Sequence, residues 1–197
     1  MKAAVLSILL IAGLSDVVSA SAATLAKATF AGGCFWCMEP PFERLTGVVS
    51  VTSGYTGGHA DHPTYDDVSG GGTGHREAVE ILFDPRRISY ARLLEVFWHN
   101  VDPVDGEGQF CDRGNQYRAA IFFHDEGQHR AAEQSRLAVQ RRFGSVSTMI
   151  LPAGLFFHAE EEHQNYYREH ALRYRFYRYR CGRDGRLHEL WGDLAGQ

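Results

Sequence analysis

The chain has 197 residues, 44% of them hydrophobic and 22% charged, with four cysteines and a formal net charge of −4. A chain of that size and apolar content can bury the core of one soluble domain and is too hydrophobic to remain disordered. The mild acidity lacks the basic footprint of nucleic-acid or anionic-membrane binding, and no apolar run is long enough to span a bilayer.

The first segment reads as a leader. Met1-Lys2 forms a short n-region, residues 3–14 an apolar h-region, and Val18-Ser19-Ala20-Ser21-Ala22 offers two small-x-small cleavage options. A signal peptide over residues 1–22 is predicted, followed by a single catalytic domain over 23–197 in an exported, periplasmic protein. Its removal takes Lys2 and Asp16 together and leaves the net charge unchanged. Cys34, Cys37, Cys111 and Cys181 all lie in the exported part, where three disulfide pairings are open. Four cysteines are few for a disulfide scaffold of this length, so catalytic or redox use is expected.

Apolar periodicity and breakers then set out the elements. A strand over 27–31 runs into Gly32-Gly33, Cys34 and a helix over 35–45. That turn puts Cys34 at a helix N-terminus, where free backbone N–H groups are expected to lower a thiol pKa. A strand over 48–55 follows, then a Gly/His/Asp-rich loop over 56–74, long enough to be an ordered cover for a site. The strand over 77–83 alternates Ala78/Glu80/Leu82 with Val79/Ile81/Phe83. Asp84-Pro85 ends it, and Ser89 N-caps a helix to about residue 100. A loop over 101–116, a strand over 117–123, a helix over 126–143, a strand over 147–151 and an acidic-headed helix over 159–170 complete the regular part. The first six elements read β-α-β-β-α-β, predicting an α+β fold with a ferredoxin-like (split βαβ) core. An additional strand and helix and an irregular C-terminal tail decorate it.

Three groups of residues carry no dedicated chemistry on this reading. His158 and His163 are five apart and share no helix face, and His59-Ala60-Asp61-His62 is a loop cluster, so no metal site is expected. The tail interleaves Tyr and Arg over residues 166–186, a pattern suited to arginine stems covering apolar surface or to docking a partner. Cys111 reads as a small apolar filler.

The motifs Gly32-Gly33-Cys34-Phe35-Trp36, Ser53-Gly54-Tyr55-Thr56-Gly57-Gly58 and Pro63-Thr64-Tyr65 are followed by Gly74-His75-Arg76-Glu77, Asp112-Arg113-Gly114-Asn115-Gln116-Tyr117-Arg118 and His163-Gln164-x-Tyr166. In this order and at this spacing, over residues 28–168, the chain resembles type A peptide-methionine sulfoxide reductase. The resemblance implies a ferredoxin-like core and reduction of methionine S-sulfoxide, free or in proteins, without metal or organic cofactor. It implies Cys34 as nucleophile, Glu77 as the acid protonating the sulfoxide oxygen, and the hydroxyls of Tyr65 and Tyr117 as its helpers. Phe35 and Trp36 would hold the substrate methyl group, and Asp112 would order the site. Attack leaves a sulfenic acid on Cys34, which a second thiol must resolve before an external thioredoxin-like dithiol recycles the enzyme. Cys181, in a Cys-Gly context, matches a recycling cysteine of the family. Cys37 stands where most relatives have glycine and completes a C-x-x-C, so either could resolve. Nothing demands more than a monomer. Two other readings remain open from the residues alone: an exported C-x-x-C thiol–disulfide oxidoreductase, and a binding module held by two structural disulfides.

Overall fold

Residues 24–197 are described by a computed structural model; the leader expected over 1–22 lies outside the described residues. In chain order the elements are β1 (Ala26–Ala31), α1 (Phe35–Glu43), β2 (Val48–Thr56), α2 (Tyr65–Ser69), β3 (Arg76–Phe83) and α3 (Tyr90–Trp98). A hairpin of β4 (Gly108–Gln109) and β5 (Asp112–Arg113) follows, then β6 (Ala120–Phe123), α4 (Glu126–Phe143), β7 (Met149–Pro152) and β8 (Phe156–His158). The chain ends in α5 (Tyr166–Glu169), α6 (Ala171–Arg180) and α7 (Arg183–Trp191).

Six strands form one sheet in the order β7-β6-β1-β3-β2-β8. All neighbours are antiparallel except β6 and β7. The inner four, β6-β1-β3-β2, are compatible with the expected split-βαβ core, and the α+β class holds. The alternation in β3 sorts its side chains between the two faces. Val79, Ile81 and Phe83 join Phe30, Phe42 and Phe97 in the main core, beneath α1 and α3. Ala78, with Ala31, Ala120 and Phe122, lies in a smaller cluster packed against Met149, Leu151 and Phe156. Glu77 shares the parity of Val79, so the strand's period of two sends its carboxyl to the face on which α1 lies.

Three expectations are corrected. The helix expected over 159–170 is broken into a 3₁₀ turn (Glu161–His163) and α5, because Gln164 is extended and Asn165 is left-handed at φ 52°. The Gln164 amide bonds the backbone of Ser53, accepting from its N–H at 2.9 Å and donating to its carbonyl at 3.0 Å. Tertiary hydrogen bonds therefore replace helical ones. The tail is helical rather than irregular: Gly182, at φ 67°, turns the chain between α6 and α7. Leu187, Leu190 and Trp191 then bury one face of α7, at an i, i+3, i+4 spacing. Residues 115–117 form a 3₁₀ turn, so β6 starts at Ala120 rather than at Tyr117. The cover over 56–74 is ordered, and α2 within it is closed by a capping box between Thr64 and Asp67.

Phe30 stands at the middle of the main core, fully buried, with its ring centroid 5.1 Å from Phe97 and 5.4 Å from Phe42. Phe30→Ala is expected to cost about 3–5 kcal/mol in urea unfolding. A loss below about 1 kcal/mol would show that the core is organised elsewhere.

Candidate active site

The end of β1 delivers the chain through Gly32-Gly33 into Cys34, the N-cap of α1. Gly33 has φ +83°, and a Cβ there would lie 2.7 Å from the side chain of Gln109. Only glycine meets both the conformation and the approach. Cys34 is 6% exposed and Cys37, one helical turn on, 1%. Neither is in a disulfide.

A carboxyl group, not a thiolate, takes the first N–H of α1. Glu77 Oε2 accepts from the Phe35 N–H at 3.0 Å, and Asp112 adds a second acid whose charge bears on Cys34. Glu77 is buried, and burial pushes its carboxyl up to about 8 despite that hydrogen bond, with the nearby charge of Asp112 adding to the rise. Burial likewise raises Asp112, opposed by a hydrogen bond from the Tyr177 hydroxyl and by the charge of Arg183. The expected lowering of the Cys34 pKa does not occur. Burial raises it well above the usual thiol value, and its hydrogen bond to Cys37 and the carboxylates Glu77 and Asp112 raise it further. The helix terminus that would have favoured a Cys34 thiolate is already occupied by an acid. Cys37 moves the other way, lowered by the Cys34 thiol hydrogen bond and then by Arg183 and Arg178. Cys37 is therefore the more readily ionised thiol of the pair.

The other site residues converge on this point. Tyr65 is the first residue of α2, its N–H bonded to Glu160 at 2.8 Å, and the second oxygen of Glu160 accepts from Tyr55 at 2.8 Å. Burial raises the hydroxyl of Tyr65 to about 12 and that of Tyr117 further. Glu77 is the second cause in both cases, so both phenols remain proton donors beside the carboxyl. Phe35 is fully buried in the main core, its ring 6.5 Å from Tyr65 and 6.5 Å from Trp36. Trp36 is half-buried, and Tyr166 lies flat on it at 3.8 Å. The Trp36 indole N–H donates to His163 Nδ1 at 3.3 Å.

Cys181 and Cys111 are the departure. They form a disulfide with Cα atoms 4.9 Å apart, so Cys111 is no apolar filler and Cys181 is not free to resolve Cys34 in this state. The bond ties α6 to the hairpin that carries Asp112. Among the described residues one group, Cys111, Asp112 and Cys181, has its ligand-type atoms close enough for a metal, and its sulfurs are in the disulfide.

Sequence reasoning placed the arginines of the tail on the surface, but Arg183 is 1% exposed. Its guanidinium donates to the carbonyls of Gly32 at 3.2 Å and Asn100 at 2.6 Å and lies over Phe110 at 4.4 Å. Its Nε and one terminal nitrogen have no partner among the described residues. The charge is therefore balanced at longer range, by Asp112 and the Cys37 sulfur. Glycine at 182, a helix-breaking signal, was the readable hint that this arginine begins a new helix turned inward. Glu39 was also missed: it is buried on α1, accepts from Ser53 Oγ at 2.9 Å, and burial raises it to about 7.

Known proteins resemble this chain in sequence and in fold. A family model described as peptide methionine sulfoxide reductase matches residues 26–195. The peptide methionine sulfoxide reductase MsrA of Bacillus licheniformis is 49% identical over 172 residues, covering 84% of this chain and 93% of that protein. Among solved structures, reduced Mxr1 from Saccharomyces cerevisiae superposes with a TM-score of 0.72 at 28% identity, covering 80% of this chain and 92% of that one. Mxr1 in complex with Trx2 shares the fold at a TM-score of 0.50 and 19% identity, covering 78% and 92%.

Removing the buried cation should raise the Cys37 pKa. In Arg183→Met the lower thiol ionisation, followed by ultraviolet thiolate absorbance, is expected to move up by about 1 pH unit. An unchanged midpoint would remove Arg183 as the counter-charge.

Proposed function

The chain belongs to the peptide methionine sulfoxide reductase family, enzymes that reduce methionine sulfoxide, and from that premise we propose how its own residues carry out the reaction. The observation that carries the proposal is the 3.0 Å hydrogen bond holding the Glu77 carboxyl at the first turn of α1, one residue from the Cys34 sulfur. A carboxyl raised to about 8 is mostly protonated at neutral pH and can donate to the sulfoxide oxygen. Cys34 attacks the sulfoxide sulfur as its proton passes to the Cys37 sulfur, and Glu77 protonates the departing oxygen. The protonated oxygen passes from the substrate sulfur to the Cys34 sulfur as the bond between the two sulfurs breaks, so methionine leaves and Cys34 becomes a sulfenic acid. Tyr65 and Tyr117 donate hydrogen bonds to the same oxygen. Phe35 and Trp36 form the apolar wall for the methyl group, and that wall together with the acid opposite selects the S over the R sulfoxide.

Resolution falls to Cys37. It is buried with Cys34 one helical turn along α1 and free, whereas Cys181 is bonded to Cys111. Attack of Cys37 on the sulfenic sulfur forms the Cys34–Cys37 disulfide and expels water. The two protons of that water are the one that Cys34 gave up and the one from Glu77. A thioredoxin-like protein dithiol returns the two electrons, and the leader-like residues 1–22 support an exported donor. The protein is read as a monomer. The rival reading, a general thiol–disulfide oxidoreductase, gives no use to a protonated buried Glu77.

Turnover with separated sulfoxides and dithiothreitol should consume the S form and spare the R form. Activity should fall as pH rises through about 8, because the acid is then lost. Glu77→Gln should lower kcat by about 10²–10⁴-fold and abolish that limb. An unaltered pH profile would remove Glu77 as the acid. In Cys37→Ser, one equivalent of substrate should release about one methionine per enzyme and leave a dimedone-reactive sulfenic acid on Cys34. A disulfide at Cys34 in that variant would transfer resolution to another thiol.

A further inference from the structure

Resting on the reductase reading above, we propose that Glu39 is a positioning residue for the methyl pocket. Its buried carboxyl fastens the turn over residues 163–166 to α1, and that turn holds the indole of Trp36 in place.

Glu39 is 0% exposed, between Met38 and the prolines of α1, with fully buried Phe42 three residues on. A carboxyl gives up its hydration in such surroundings, and packing alone would be served by an apolar side chain. The Glu39 side chain is instead used as an acceptor. Oε1 takes the Ser53 hydroxyl at 2.9 Å and the Asn165 N–H at 3.3 Å, while Oε2 has no partner among the described residues. One side chain thus joins α1 to β2 and to the head of α5.

The residue it holds in α5 is conformationally unusual. Asn165 is left-handed at φ 52°, which a residue with a side chain adopts only where its surroundings impose it. Gln164, just before it, pairs with both backbone groups of Ser53. Ser53 is therefore gripped through its hydroxyl by Glu39 and through its backbone by Gln164. One turn along α1, Glu43 accepts from Arg168 at 2.7 Å and from the Tyr167 hydroxyl. Glu39 and Glu43, at i and i+4, share one face of the helix. They are the inner and outer points at which residues 163–168 are fastened to it.

That segment grips Trp36 from two directions. His163 accepts the indole N–H at 3.3 Å, and Tyr166 lies parallel to the ring, 9° off, at 3.8 Å. These two residues flank the Gln164-Asn165 pair that Glu39 and Ser53 secure. Trp36 is only half-buried, so the turn rather than the core fixes its ring. Without the carboxyl, Asn165 is free to leave the left-handed region and the grip on the indole loosens. A wall that touches the methyl group in substrate and transition state alike contributes uniform binding, so its loosening raises KM more than it lowers kcat.

A double-mutant cycle with N-acetyl-methionine S-sulfoxide and dithiothreitol tests this. Glu39→Met, which keeps the volume and removes the acceptor, should raise KM about tenfold with kcat within about threefold. Glu39→Gln, whose amide oxygen accepts the same bonds, should keep KM within about threefold of the unaltered protein. In a Trp36→Ala background, Glu39→Met should add less than about twofold, because the ring it positions is gone. An equal rise in both backgrounds, or a KM that Glu39→Gln does not preserve, overturns the proposal. Should Glu39→Met fail to fold, Ser53→Ala deletes one donor for the loss of one atom and should raise KM about threefold, again only where Trp36 is present. No rise there overturns it too. Acrylamide quenching separates this inference from the reductase reading: Trp98 and Trp191 are buried, so increased quenching in Glu39→Met reports Trp36. Unchanged quenching overturns the positioning role alone, whereas an unaltered protein that consumes no S-sulfoxide overturns the reductase reading.

Discussion

The site depends on what occupies the N-terminus of α1. The Phe35 N–H holds the carboxyl of Glu77, so the field that could have ionised Cys34 steadies an acid instead, with the charge of Asp112 close by. Burial then keeps Glu77 protonated at neutral pH and Cys34 a thiol. The resting site carries its negative charge one turn deeper, on Cys37, facing the buried guanidinium of Arg183. Glu77, Cys34 and Cys37 are set apart by their environments rather than by residue type.

This arrangement couples the chemistry to the far end of the chain. Arg183 begins α7, whose buried Leu187, Leu190 and Trp191 anchor it against the domain, with the Trp191 indole N–H donating to the Val101 carbonyl at 3.0 Å. Tyr177 on α6 steadies Asp112, and Tyr166 lies on Trp36. The C-terminal helices thus supply the counter-charge and the cover of the site around Cys34. Closure keeps bulk water from the buried Cys34–Cys37 pair.

Much of this was legible along the chain. Apolar periodicity located most of the core strands and helices to within a few residues. The alternation in β3 held the orientation of Glu77 as well: if Val79, Ile81 and Phe83 face the helices, so does the residue two before Val79. The motifs around Cys34, Tyr65, Glu77, Asp112 and Tyr117 named residues that the fold brings to one place. Elements held by side-chain bonds to distant backbone were not legible. Gln164 breaks a helix to pair with Ser53, and no local pattern announces that bond.

By itself, the sequence determined the α+β class, the strand-to-helix turn at Cys34 and the family, because these rest on local periodicity, glycine conformation and the order of motifs. Tertiary structure alone decided which cysteines pair, which thiol bears the charge and which tail arginine is buried. Spacing along the chain does not say whether Cys181 meets Cys34 or Cys111, and a pKa belongs to the groups packed around a side chain. Those groups come here from β3, the β4–β5 hairpin and α6–α7, elements that only folding brings to the first turn of α1.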